Sequence, residues 1–98
     1  MRAVAKRPGE PGKVITIDND LKALQDYVGG YIETIRVFED ALIICNEEGR
    51  LLGLPFNLSL CGMVFFGPVL FVGVEGEEFT DCPNAGWLMD QINVCNGY

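Results

Sequence analysis

The sequence predicts an α+β domain, a mostly antiparallel sheet of about five to six short strands with one or two helices packed on it. Three observations carry this expectation. Short apolar runs alternate with clusters of Gly, Pro, Asn and Asp; one early segment has helical apolar spacing; and Val69 to Val74 is apolar at every position, as in a strand covered on both faces. The 98 residues suit one domain spanning 1–98, and 49% apolar content supplies a core without staples.

The elements follow in order. Residues 2–6 and 13–17 read as two strands around the turn formers Pro8, Gly9, Pro11 and Gly12. Asp18 or Asn19 is then placed to cap a helix whose apolar face is Leu21, Leu24 and Val28, at spacings of three and four. Gly29 and Gly30 stop it. Residues 31–38 and 41–46 form a hairpin across Glu39 and Asp40. A second turn, Asn46 to Gly49, is expected to return the chain at Arg50 and Leu51 as a third meander strand, with Gly49 supplying a positive φ. An irregular segment around Asn57 precedes strands at 63–66 and 69–74, the latter central. Residues 84–95 close the domain as a helix through Leu88, Ile92 and Cys95, with Trp87 beside them; Gly86 and Asn93 weaken it.

Seven Lys and Arg against fourteen Asp and Glu give a net charge of -7, which opposes binding to nucleic acid or anionic lipid and favours a basic partner. Four of the bases, Arg2, Lys6, Arg7 and Lys13, fall in the first thirteen residues, so the remaining chain is more acidic still. Cys45, Cys61, Cys82 and Cys95 stand singly and there is no histidine, so neither a paired zinc set nor a disulfide framework is indicated. The opening residues contain no apolar stretch of signal-peptide length, and a cytoplasmic protein with reduced thiols is expected. Leu51 to Val74 is free of charge and long enough to span a bilayer. Pro55, Pro68, recurrent glycines and a β-branched, aromatic run mark it instead as sheet core, and Glu75, Glu77, Glu78 and Asp81 leave it without a cationic flank.

Catalysis is disfavoured by absence. General acid–base work near neutral pH most often uses histidine, and a Cys nucleophile here lacks its usual base. Glu47 with Glu48 and Glu77 with Glu78 are adjacent pairs that read as solvated turns, and no phosphate loop with its lysine is present. No metal and no cofactor are expected. The binding candidates are Tyr31, Asn46, Glu47 and Asn57: a ring with a polar tip directly after the helix stop, and two amides at the ends of NEEGRLLGLPFN. Those amides serve either backbone turns or a ligand.

GGYIE at 29–33, CNEEGRLLGLPFN at 45–57 and GPVLFVG at 67–73 together resemble the small bacterial and phage family designated domain of unknown function 3846. The opening strand, IDN at 17–19 and the LKALQDYVGG helix fit it too, so the resemblance covers most of residues 1–79, leaving 80–98 as a divergent segment. Members follow the LPxN segment with Arg where this chain has Leu58, so a role resting on that base is not carried over. The resemblance singles out Tyr31, Glu33, Asn46, Glu47, Gly49, Pro55 and Asn57, and it implies an accessory gene of a phage, prophage or conjugative element. The expected function is therefore non-catalytic binding: an acidic surface that occupies a basic site on a host protein, in counter-defence or inhibition. The alternative is a small pocket near Asn46 and Asn57 that sequesters a nucleotide-type ligand. Oligomeric state is left open, with strands 2–6 and 31–38 as candidate edges that Lys6, Arg7 and Arg36 blunt.

Overall fold

The computed structural model describes all residues from 1 to 98. The order is β1 (Arg2–Lys6), β2 (Lys13–Thr16), α1 (Leu21–Val28), β3 (Ile32–Phe38), β4 (Ala41–Asn46), β5 (Phe56–Leu60), β6 (Met63–Phe66), β7 (Val69–Glu75), β8 (Glu78–Thr80) and α2 (Ala85–Cys95). An antiparallel sheet runs β2-β1-β7-β4-β3, and β8 pairs the outer half of β7 where β1 has ended. β5 and β6 form a separate hairpin. The protein is thus an α+β domain in three layers. Ala3, Ala5, Leu42, Ile44, Leu70 and Val72 face α1, whose Leu24 and Val28 cover them. Val4, Ile43, Cys45, Val69 and Phe71 face the other way, against α2 and the β5–β6 hairpin.

β7 lies at the centre, as its unbroken apolar run requires, with Val69 to Val72 fully buried. β4 is buried along its whole length for the same reason. This explains the one topological departure from expectation. The meander strand at Arg50 and Leu51 does not form; the chain takes turns there, and the free edge of β4 is filled by β7. A seven-residue strand that is apolar on both faces gains more by lying between two neighbours than the short turn segment at Arg50 and Leu51 does.

Gly49 accordingly closes no bulge and has no positive φ. It is needed for space: a Cβ there would lie 2.7 Å from the Phe66 carbonyl oxygen. Gly49→Ala is expected to lower stability by about 1–3 kcal/mol, because backbone rather than a flexible side chain must yield. Urea unfolding measures this, and an unchanged midpoint would contradict it.

Three local differences have simple causes. Asp20, not Asp18 or Asn19, caps α1: its carboxylate accepts from the Ala23 N–H at 2.8 Å, while Asn19 donates to the Phe79 carbonyl. Leu21 then falls in the first turn and stays exposed, so the buried face of α1 narrows to Leu24 and Val28. The segment around Asn57 is regular rather than irregular, a two-residue turn at Cys61 and Gly62 with positive φ at both joining β5 to β6. At the far end α2 buries Ala85, Leu88 and Ile92 but leaves Cys95 and Trp87 exposed. Asn93 weakens the helix by propensity yet ties it to the first hairpin loop, accepting from the Gly12 N–H at 2.6 Å and donating to the Gly12 carbonyl. β1 is interior, so only β3 and β2 remain as outer strands of the main path. No helix is long and apolar enough to cross a membrane, and residues 56–75 are spent on β5, β6 and β7.

Candidate interaction surface

The four residues singled out for binding do not converge. Asn46 is buried on the α1 side of β4: its Nδ2 donates to the Val28 carbonyl at 3.1 Å, and its Oδ1 accepts from the Glu48 N–H at 2.8 Å. It ends α1 and starts the next turn at once, and Gly30 is small because a Cβ there would approach Asn46 Nδ2 to 2.9 Å. Asn57 is buried on the opposite face. Its Nδ2 donates to the carbonyls of Lys6 and Gly67, and its Oδ1 accepts from Lys6 Nζ at 3.0 Å. Both amides are therefore committed to holding backbone, and no pocket contains the pair. Tyr31 and Glu47 are neighbours at the end of the β3–β4 ladder, where the Glu47 N–H donates to the Tyr31 carbonyl, and both side chains are exposed.

Lys6, expected to blunt an exposed strand edge, is instead buried on an interior strand. Its side chain is 1% exposed, with Nζ held by Asn57 Oδ1 and the Arg7 carbonyl and lying 5.4 Å from the Tyr98 ring centroid. No carboxylate lies within ion-pair distance of it. Burial lowers its pKa below the usual lysine value, and Glu10 at longer range pulls the other way. The alternation of RAVAK puts Lys6 on the face of Val4, inside the core, and this was the available signal.

A groove of about 300 Å³ separates the β3–β4 ladder from the β5–β6 hairpin, with Glu33 and Glu47 on one wall and Phe65 and Phe66 on the other. Arg50 lies 4.8 Å from the Phe66 ring centroid. Cys45 lines it too, but burial and then Glu33 push that thiol up to about 11, so it is protonated near neutral pH.

The strongest feature is electrostatic. Antiparallel pairing of β4, β7 and β1 sets the β3–β4 turn, the β7–β8 turn and the end of β2 at one end of the sheet. Glu39 and Asp40 come from the first turn, Glu75, Glu77 and Glu78 from the second, all exposed. Asp18, Asp20 and Asp81 lie beside them and are exposed too; Asn19 reaches Phe79, and Asp81 Oδ1 accepts from the Arg2 N–H at 2.7 Å. Against them stand Arg2 and Arg36, of which Arg36 donates to the Glu39 carbonyl rather than to a carboxylate. Lys22, in the first turn of α1, is committed to Asp26 at 3.0 Å. The opposite end holds Arg7, Lys13 and Arg50 together with Glu10, Glu33, Glu47 and Glu48, so the excess of negative charge lies at the first end. Such a field steers a basic surface toward one end of the molecule.

No curated protein matches this chain, and no solved structure does. A family model does match, over residues 1–93, so the family extends beyond residue 79 and through most of α2, a segment expected to lie outside it. On that match, the three-layer α+β chain described above belongs to the family described as domain of unknown function, DUF3846.

Proposed function

We propose that this chain is a non-catalytic accessory protein of a phage, prophage or mobile element that binds a host protein, docking its acidic sheet end on a basic site in the manner of a nucleic-acid mimic. The observation that supports this best is the gathering of Glu39, Asp40, Glu75, Glu77 and Glu78 at one end, unpaired by any base within 4.0 Å. Chemistry adds little competition, since the chain has no histidine and burial keeps the thiols of Cys45 and Cys82 protonated near neutral pH. The setting is cytoplasmic in this reading, with a counter-defence or inhibitory role.

Charge reversal tests it. The chain is used to capture partners from host lysate, and Glu75→Lys, Glu77→Lys and Glu78→Lys are combined in one variant. A partner held at low salt is expected to be released by about 0.5 M salt, where the Debye length falls below about 5 Å, and to be lost in the triple variant. Retention in both conditions would count against charge-driven docking. The alternative, a small-molecule binder of nucleotide type, has lost the Asn46–Asn57 pocket. It is supported instead by a separate basic concavity.

A further inference from the structure

An acidic protein that carries one cationic hollow invites a question about what the hollow holds. Arg7 follows β1 with the parity of Ala3 and Ala5, and Lys13 pairs with Ala5, so both bases emerge on the α1 side of the first hairpin. Tyr27, in the last turn of α1, closes over them. The cavity so enclosed has a volume of about 410 Å³ and an apolar floor of Ala5 and Ile15.

Its donors are unspent. The Arg7 guanidinium lies 4.7 Å from the Tyr27 ring centroid and makes no hydrogen bond or ion pair. Lys13 has only Glu10, at 4.0 Å and exposed to solvent. The Tyr27 hydroxyl is shielded from solvent and has no hydrogen-bond partner, the single such side-chain atom in the protein. Buried hydroxyls are almost always paired, so an unpaired one on a ring that lines this cavity and is stacked by Arg7 asks for an acceptor.

We propose that this cavity binds a small phosphorylated molecule, whose phosphate accepts hydrogen bonds from Arg7, Lys13 and the Tyr27 hydroxyl while its organic part lies over Ala5 and Ile15. Three donors of different geometry suit the several oxygens of a phosphate better than the two of a carboxylate. A polymer is disfavoured, because Glu10 stands at the rim and the whole chain carries -7. Burial raises the pKa of Tyr27 while Arg7 lowers it and Glu10 raises it, so the phenol remains a donor near neutral pH. This hollow lies away from the acidic sheet end, and the two readings stand or fall separately.

Inorganic pyrophosphate and AMP, each titrated into the full chain at low salt and followed by amide chemical shifts, provide the test. At least one is expected to saturate, with the largest shifts at Ala5, Arg7, Lys13 and Ile15. Arg7→Ala and Tyr27→Phe should each weaken it about tenfold, as for a hydrogen bond to a charged group. Glu10→Gln should tighten it by removing repulsion, and the triple lysine variant of the acidic end should bind like the natural sequence. Tyr27→Phe should melt no lower than the parent, since its hydroxyl has no partner to lose. The proposal is overturned by no saturation at about 10 mM of either probe, a free energy weaker than about 3 kcal/mol of binding. It is overturned equally if Arg7→Ala and Tyr27→Phe bind as the parent does, if citrate competes as well as phosphate, or if Tyr27→Phe melts several degrees lower.

Discussion

Replacing Asn57 by alanine is expected to remove about 3 kcal/mol or more of folding stability, a loss out of proportion to the small volume deleted. The amide gives Lys6 Nζ one of its two hydrogen-bond acceptors and itself satisfies the carbonyls of Lys6 and Gly67. Without it, a 1%-exposed ammonium keeps only the Arg7 carbonyl and the ring of Tyr98, and two carbonyls lose their donor. Lys6→Met should cost far less, within about 1 kcal/mol, because relief from burying a charge offsets the stranded Asn57 oxygen. Adding Lys6→Met to Asn57→Ala should therefore restore part of the loss. Urea midpoints of the two single variants and the double form the cycle that checks it, and additive losses would show the two side chains to be energetically independent.

The same pair has a pH signature. The folded pKa of Lys6 lies below its unfolded value near 10.5, so between the two the unfolded chain binds more protons and stability rises with pH. Asn57→Ala should widen that window downward, because the charged amine has lost an acceptor.

How much of this was legible beforehand follows from which forces act locally. Helix α1, its stop at Gly29 with φ of 81°, the Glu39–Asp40 hairpin and the central place of β7 were readable, because each depends on periodicity or on a turn residue within a few positions. The partner of β4 was not. Competition between Arg50–Leu51 and Val69–Val74 for one edge is settled by burial across the sheet, which no short window contains. The β5–β6 hairpin was hidden because its turn is Cys61–Gly62 rather than an Asn-Gly or Asp-Gly pair. For Asn46 and Asn57, residue type favoured backbone duty and left ligand duty open. Only the distances from Asn46 to Val28 and from Asn57 to Lys6 assign them to backbone. The acidic end was present in the composition as a number, but its concentration at one end required the register of β7 with β4 and β8.

Raising the pH above about 9 should destabilise the protein by several kcal/mol, and two buried thiols are the cause. Cys45 and Cys82 are 6% and 5% exposed, and each is pushed from 9.0 up to about 11. Burial is the main cause for both, reinforced by Glu33 at Cys45 and by Asp40 at Cys82, where a backbone hydrogen bond from Val4 opposes it. The folded state thus keeps these protons after the unfolded chain has released them. Stability from each thiol is complete below pH 9, declines as pH rises, and is gone past the folded value of about 11. A displacement of this size corresponds to about 2–3 kcal/mol per thiol, and about half of that is lost by pH 10. Tyr27 adds to the decline and Lys6 opposes it, but each is one group against two. Guanidinium unfolding from pH 8 to 11 should therefore show a fall of several kcal/mol, which Cys45→Ala and Cys82→Ala together flatten while costing modest stability at pH 7. If the double variant declines as steeply as the parent, the alkaline sensitivity arises elsewhere in the core and the thiols are better solvated than their packing against Val4, Ile43 and Phe71 implies.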